Sequence, residues 1–190
     1  MTRHCLTGLV IAVTLAASSG TAVSADKRSA FDLRSPAFKE FSSLTKKYTG
    51  KNPQVPGCDG GDISPPLAWS GAPAATKSYA IEVIDLASNP PLGLVHWIAY
   101  GIAASKTSLK EGEGSAPSAS IVSGKNMMGR DAYFGPCPRS GDKPHPYTFL
   151  LMATDLAPDA LKPGLTRDEL AAEIKGHILD KTTLVLRYGH

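Results

Sequence analysis

The sequence predicts a mainly β domain with one late helix, and three observations carry that prediction. From about residue 63 to 155 the chain is a series of apolar and β-branched runs bounded by Gly, Pro, Asn and Ser, the pattern of short strands joined by turns. Gly (18) and Pro (15) are abundant among 190 residues, which favours a loop-rich fold. Convincing helical periodicity is confined to one stretch near residue 170. A chain of this length makes one compact domain. Its 42% hydrophobic and 19% charged residues exclude wholesale disorder. Aromatics at 7% and a net charge of +3 give no footprint for nucleic acid.

In chain order, Met1–Ala25 reads as a secretory signal peptide. Arg3 supplies the positive start, Leu9–Ala17 the apolar core, and small residues lead to Val23-Ser24-Ala25 before the expected cut. The core is too short for an ordinary membrane span. The expectation is a periplasmic or secreted protein with no transmembrane anchor in its mature form. Residues 26–190 are expected to form its single domain. Cleavage leaves 165 of the 190 residues, a net charge of +2, and Cys58 and Cys137 as the remaining cysteines. An even count in an oxidising compartment permits one disulfide. Spacing alone leaves a disulfide and two unrelated thiols equally open.

Four strands are clear: Lys77–Asp85, Leu94–Ile102, Tyr147–Ala153 and Thr182–Tyr188. Their continuous apolar runs suggest strands covered on both faces. Ala103–Asn126, rich in Gly, Ser, Ala and Lys, reads as a long surface loop. Thr166-Arg-Asp-Glu169 fits a capping box. Leu170, Ile174 and Ile178 follow at helical spacing, and Asp168 and Glu169 suit the positive end of the helix dipole.

Special residues concentrate in three segments: Cys58–Trp69, Asp85 through His96-Trp97, and Tyr133–Tyr147. Singly, each fits a plain role as well. Asp85 could be a turn carboxylate, His96 a hydrogen-bonded core histidine, and His145 a loop histidine. Gly135–Gly141 could be a rigid loop, or one that aims backbone N–H groups at an anion.

Together they form a pattern. Asp62-Ile-Ser-Pro-Pro-Leu-Ala-Trp69 is similar to a D/N-x-S-P-x-L-x-W segment, and Thr76–Ile81 with Asp85 to a strand leading into D-P-D-x-P. Val95-His-Trp97 resembles an H-W strand, and Gly135-Pro-Cys-Pro138 with His145-Pro-Tyr147 resembles G-P-C-P-P followed by H-R-Y. In this order the four motifs resemble the phosphatidylethanolamine-binding protein family, in its bacterial Raf-kinase-inhibitor-like branch, from about Phe31 to Tyr188. The resemblance implies a large antiparallel sheet, a second smaller sheet and a few peripheral helices. It also implies a small anion-binding pocket for phosphate-type or carboxylate ligands. By motif position the pocket holds Asp85, His96, Gly135, Pro136, Cys137, Pro138, His145 and Tyr147, with Asp62, Ser64 and Arg139 at its rim. Because the Cys58 and Cys137 segments are neighbours in the family fold, it further favours a Cys58–Cys137 disulfide.

The chain departs from the pattern in three places. D-P-D-x-P is replaced by Asp85-Leu-Ala-Ser-Asn-Pro90, which loses the second acidic position and weakens recognition of a cationic head group. Arg139 and Pro146 stand where the family has Pro and Arg. The expected function is therefore non-catalytic binding of a small anion, with no cofactor and no metal. Histidine N–H and tyrosine O–H donors suit a phosphate or carboxylate oxygen. Two alternatives remain. One is a protein partner, such as a kinase, protease or host factor, bound through the pocket rim and the Ala103–Asn126 loop. The other is a hydrolase using a facial metal site of two histidines and a carboxylate, or a Cys137–His pair.

Overall fold

The computed structural model describes Met1 and residues 31–88 and 91–190. The predicted signal peptide, apart from Met1, lies outside the described residues. The elements run β1 (Asp32–Arg34), a 3-10 turn (Lys46–Tyr48), β2 (Leu67–Ser70), β3 (Ser78–Asp85), β4 (Leu94–Ala103), β5 (Ser108–Leu109), β6 (Val122–Ser123), β7 (His145–Thr154), α1 (Arg167–Glu173) and β8 (Ile178–Tyr188). They form a five-stranded sheet, ordered β6-β4-β3-β7-β8, and a three-stranded sheet, ordered β1-β2-β5. All named strand pairs are antiparallel. The mainly β, two-sheet architecture read from the sequence is the one observed.

The continuous apolar run explains the layering at β3. β8, expected to be covered on both faces as well, is instead an edge strand that buries Leu184 and Leu186 and leaves most of its other positions exposed. β3 is buried at all eight positions, because both of its faces are covered. On one face Tyr79, Ile81 and Val83 join Leu67, Trp69, Tyr147, Phe149 and Leu186 in a core shared by the two sheets. On the other, Ala80 joins Ile98, Tyr100 and Met152 beneath Leu165, Leu170 and Ile174 of the α1 region. Glu82 shares this second face, where its carboxylate accepts from Arg167 Nε at 3.3 Å. Burial raises the Glu82 pKa, and the Arg167 charge opposes the rise.

The capping box forms as read. The Thr166 side chain accepts from the Glu169 N–H, and Glu169 accepts from the Thr166 N–H at 2.8 Å. The helix is shorter than its periodicity predicts. Ile174 is its C-cap, Gly176 turns the chain at φ +86°, and Ile178 opens β8.

Ala103–Asn126 also needs correction, since it is not simply a surface loop. It contains β5, which pairs Leu109 with Leu67, and β6, which pairs Ser123 with Ala99. Leu109 and Ile121 are core residues. Gly114 packs so closely on the Trp97 ring that a Cβ there would lie 2.2 Å from it. Small and polar composition here reflects close packing as much as exposure.

Candidate functional site

The site forms where β3 ends and β7 begins. These neighbouring strands are in register with Asp85 opposite Tyr147, so two of the predicted residues meet through backbone pairing. His96 arrives from the opposite neighbour, β4. Val83 pairs with Trp97 but Ile84 pairs with Val95, which leaves His96 as the extra residue of a β-bulge. Bulges re-aim a side chain at the cost of one ladder position.

Asp85 is 2% exposed and accepts three hydrogen bonds from the described residues. Oδ1 accepts from Ala87 N–H at 2.9 Å, and Oδ2 from Ser88 Oγ at 2.8 Å and His145 Nδ1 at 2.8 Å. A carboxylate can only accept, so Nδ1 of His145 carries the proton and Nε2 is left for another partner. The nearest acid to Nε2 is Asp142, at 3.8 Å.

His96 is 2% exposed. Its Nδ1 donates to the Phe134 carbonyl at 2.9 Å, and its ring stacks on Phe134 with centroids 5.9 Å apart. Burial lowers its pKa, while the Phe134 carbonyl and the Asp85 charge oppose the shift. The neutral ring then carries a lone pair on Nε2.

Tyr147 lies between the two histidines, with ring centroids 5.1 Å from His96 and 6.4 Å from His145. It is fully buried, and its hydroxyl interacts with the nearby Asp85 carboxylate without reaching well-formed hydrogen-bond geometry to any described residue. Burial and the nearby Asp85 charge push its pKa upward. A buried hydroxyl left without a well-formed hydrogen bond costs roughly 1–3 kcal/mol.

The segment after Phe134 forms the wall, and it is tied at each residue. Gly135 N–H donates to Asp62 Oδ1 at 3.0 Å, and the Pro136 carbonyl accepts from Gly50 N–H at 2.8 Å. Cys137 is joined to Cys58 with a Cα–Cα distance of 5.4 Å. Gly135 runs so close to the Tyr48–Gly50 backbone that a Cβ on it would lie 2.3 Å from the Thr49 carbonyl carbon.

Above these residues opens a cleft of about 750 Å³, lined by Ser88, Cys137, Arg139, Lys143 and His145 among others. Arg139 and Lys143 are exposed cations, partly offset by the exposed Asp142. His96 and Tyr147 are buried and are not among its lining residues.

The structure thus brings together Asp85, His96, His145 and Tyr147, with Gly135, Pro136, Cys137, Pro138 and Arg139 around them. Two predicted rim residues sit elsewhere. Asp62 is behind the wall, at φ +52°, accepting from Lys51 N–H and Gly135 N–H. Ser64 is a correction: its Oγ accepts from Gly114 N–H and its N–H donates to Ser115 Oγ, so it closes the loop before β6 instead of lining the cleft. Ser88, Asp142 and Lys143 were not singled out from the sequence. Ser88 had a usable signal, since a hydroxyl three residues after an acid at a strand end readily closes a turn on it. Among the described residues, no three His, Cys, Asp or Glu side chains gather as a metal-binding group, and Cys137 in its disulfide offers no thiolate. No helix among them is long and apolar enough to cross a membrane.

Comparison with known proteins matches the same span. A family model for phosphatidylethanolamine-binding protein fits residues 34–189. A protein of Methanothermobacter thermautotrophicus named UPF0098 is 35% identical over 160 residues, 83% of this chain and 97% of its own. The lipoprotein LppC of Mycobacterium tuberculosis is 34% identical over 142 residues, 75% of this chain and 64% of its own. The crystal structure of Escherichia coli YbcL, described as a member of the mammalian PEBP family, superposes with a TM-score of 0.76 at 28% identity. That superposition covers 84% of this chain and 98% of YbcL.

Proposed function

The chain belongs to the phosphatidylethanolamine-binding protein family, and from that premise we propose that it is an exported, non-catalytic binder of small phosphorylated or carboxylate anions. The observation that carries this reading is the buried Tyr147 hydroxyl without a well-formed hydrogen bond, set between two histidines. A ligand oxygen that accepts from it offsets the desolvation cost of the buried hydroxyl. The Arg139 and Lys143 side chains, which line the cleft beside His145, supply further donors. His96 Nε2 accepts from a ligand hydroxyl, which suits a monoprotonated phosphate group.

Asp85 argues against a cationic head group as the main determinant. Three of its roughly four lone-pair sites are already taken by Ala87, Ser88 and His145, so it orients His145 instead of holding an ammonium. Export is supported by the signal-like pattern of residues 1–25, by the Cys58–Cys137 bridge and by similarity to a mycobacterial lipoprotein.

The test is an NMR titration with inorganic phosphate, acetate and ethanolamine in parallel. The ring resonances of His96, His145 and Tyr147 should move with phosphate or acetate and stay fixed with ethanolamine. Pocket resonances unmoved by either anion would sink the reading.

A further inference from the structure

His190 has no role in the site described so far, yet its position bears on the cleft directly. Its Nε2 lies 3.0 Å from the Pro138 carbonyl. A carbonyl accepts, so Nε2 carries the proton. The ring packs edge-on against Tyr188 with centroids 5.5 Å apart. Its other flank meets Gly57, where a Cβ would lie 2.8 Å from His190 Cε1. Gly57 precedes Cys58 and Pro138 follows Cys137, so the ring spans the two chains that the disulfide joins.

The residues before it act on the far end of the same loop. Tyr188 pairs with His145 across β8 and β7. Gly189 is tight on Pro144, with a Cβ there placed 2.9 Å from Pro144 Cα. Residues 188–190 therefore touch both ends of the Cys137–His145 loop that lines the cleft. Between those ends the loop has little support. Residues 139–143 are exposed, and the tie within that stretch is the Asp142 N–H to Arg139 carbonyl bond at 3.1 Å.

We infer that Tyr188–His190 is a strap across the base of the cleft loop, and that His190 is a positioning residue for the anion site. By fixing the Pro138 carbonyl, it sets the direction in which Arg139 leaves the wall. The disulfide fixes where Cys137 sits and the Pro138 ring fixes that residue's φ, but rotation about Pro138 ψ and the residues beyond is left free. The strap removes that freedom, so Arg139 and Lys143 are ordered before the ligand arrives, which lowers the ordering cost of binding. This rests on the anion-binding reading above.

The experiment compares His190→Ala with His190→Gln, whose amide N–H can still donate to Pro138. Backbone amide shifts and hydrogen exchange at Arg139 and Lys143 are read without ligand, and inorganic phosphate is then titrated. The Ala variant should shift those amides, speed their exchange and weaken phosphate binding by about tenfold, whereas Gln should stay within about threefold of the parent. β3 and β7 amides, unchanged in both variants, show that the fold is intact. The inference is overturned if His190→Ala leaves the Arg139 and Lys143 amides as in the parent, or if Gln is as damaging as Ala. If the parent itself ignores phosphate, the proposed ligand class falls, while the ligand-free amide comparison still decides whether His190 positions the loop.

Discussion

Nδ1 of His145 lies 2.8 Å from Oδ2 of Asp85, and the same oxygen accepts from Ser88 Oγ at 2.8 Å. The carboxylate therefore works inward, fixing the ring and the turn after β3, while His145 Nε2 faces outward. Asp85→Asn exchanges one acceptor for a donor that faces donors already in place. We expect it to cost about 2 kcal/mol of stability and to weaken phosphate binding about tenfold, equivalent to roughly 1.4 kcal/mol. Urea unfolding and phosphate titration check the two effects; a variant with parent-like values in both would refute the assignment.

Tyr147→Phe should separate stability from affinity. Removing a buried hydroxyl that lacks a well-formed hydrogen bond leaves the ligand-free protein as stable as the parent, or up to about 1 kcal/mol more stable, while phosphate binding weakens. Thermal unfolding with and without phosphate is the measurement. Loss of stability without ligand would mean that the hydroxyl has a partner in the free protein.

Alkaline pH probes the same burial. Tyr133 is pushed well above the ordinary phenol range by burial, and Tyr147 is raised for the same first reason. An unfolded tyrosine releases its proton near pH 10, where the folded ones still hold theirs. Stability present below that pH should therefore be lost as pH rises above it. Spectrophotometric titration should show these two phenols ionising only as the protein unfolds. Smooth ionisation of every tyrosine before the fold melts would contradict this.

His96 gives a dependence of opposite sense in acid. Its folded pKa is lowered by burial, whereas an unfolded histidine takes a proton near pH 6.5. Below that value the unfolded chain binds a proton the native one refuses, so stability present above about pH 6.5 falls as pH drops toward the folded pKa. The ring resonance of His96 should stay that of neutral imidazole at pH values where a free histidine is already taking up its proton. In His96→Gln the stability loss on acidification should be shallower; a slope identical to the parent's would assign the dependence to other groups.

Arg167 links the second core to the β3–β4 turn. It pairs with the buried Glu82 and donates to the Leu92 carbonyl at 2.8 Å. Arg167→Ala strands Glu82 beneath α1 and should cost about 1–2 kcal/mol, less than a fully buried pair because Arg167 is partly exposed. Adding Glu82→Gln should recover part of that loss. Denaturant melts of the single and double variants test this, and strictly additive losses would mean the pair is not coupled.

Most of the fold was legible because the signals were local. β3 and β7 read as unbroken apolar runs, and the Thr166–Glu169 box marked where α1 begins. Its end was not legible, since Ile178 keeps helical spacing although Gly176 has already turned the chain. β5 and β6 were hidden in a Gly- and Ser-rich stretch, because two-residue strands carry no periodicity. The candidate site residues were named through a family resemblance spread over four motifs. Their meeting, and the internal use of Asp85, were not.

The order of residues along the chain was enough to specify a mainly β member of this family, with histidine, tyrosine and cysteine at motif positions. Such information is carried by composition, periodicity and order along the chain. Three-dimensional packing settled that Asp85 turns its lone pairs to Ala87, Ser88 and His145, that Ser64 serves Gly114 instead of the cleft, and that His190 reaches Pro138. The physical reason is the same for all three. A hydrogen bond depends on distance and direction between groups up to 60 residues apart, and a one-residue bulge such as that at His96 changes what each side chain can reach.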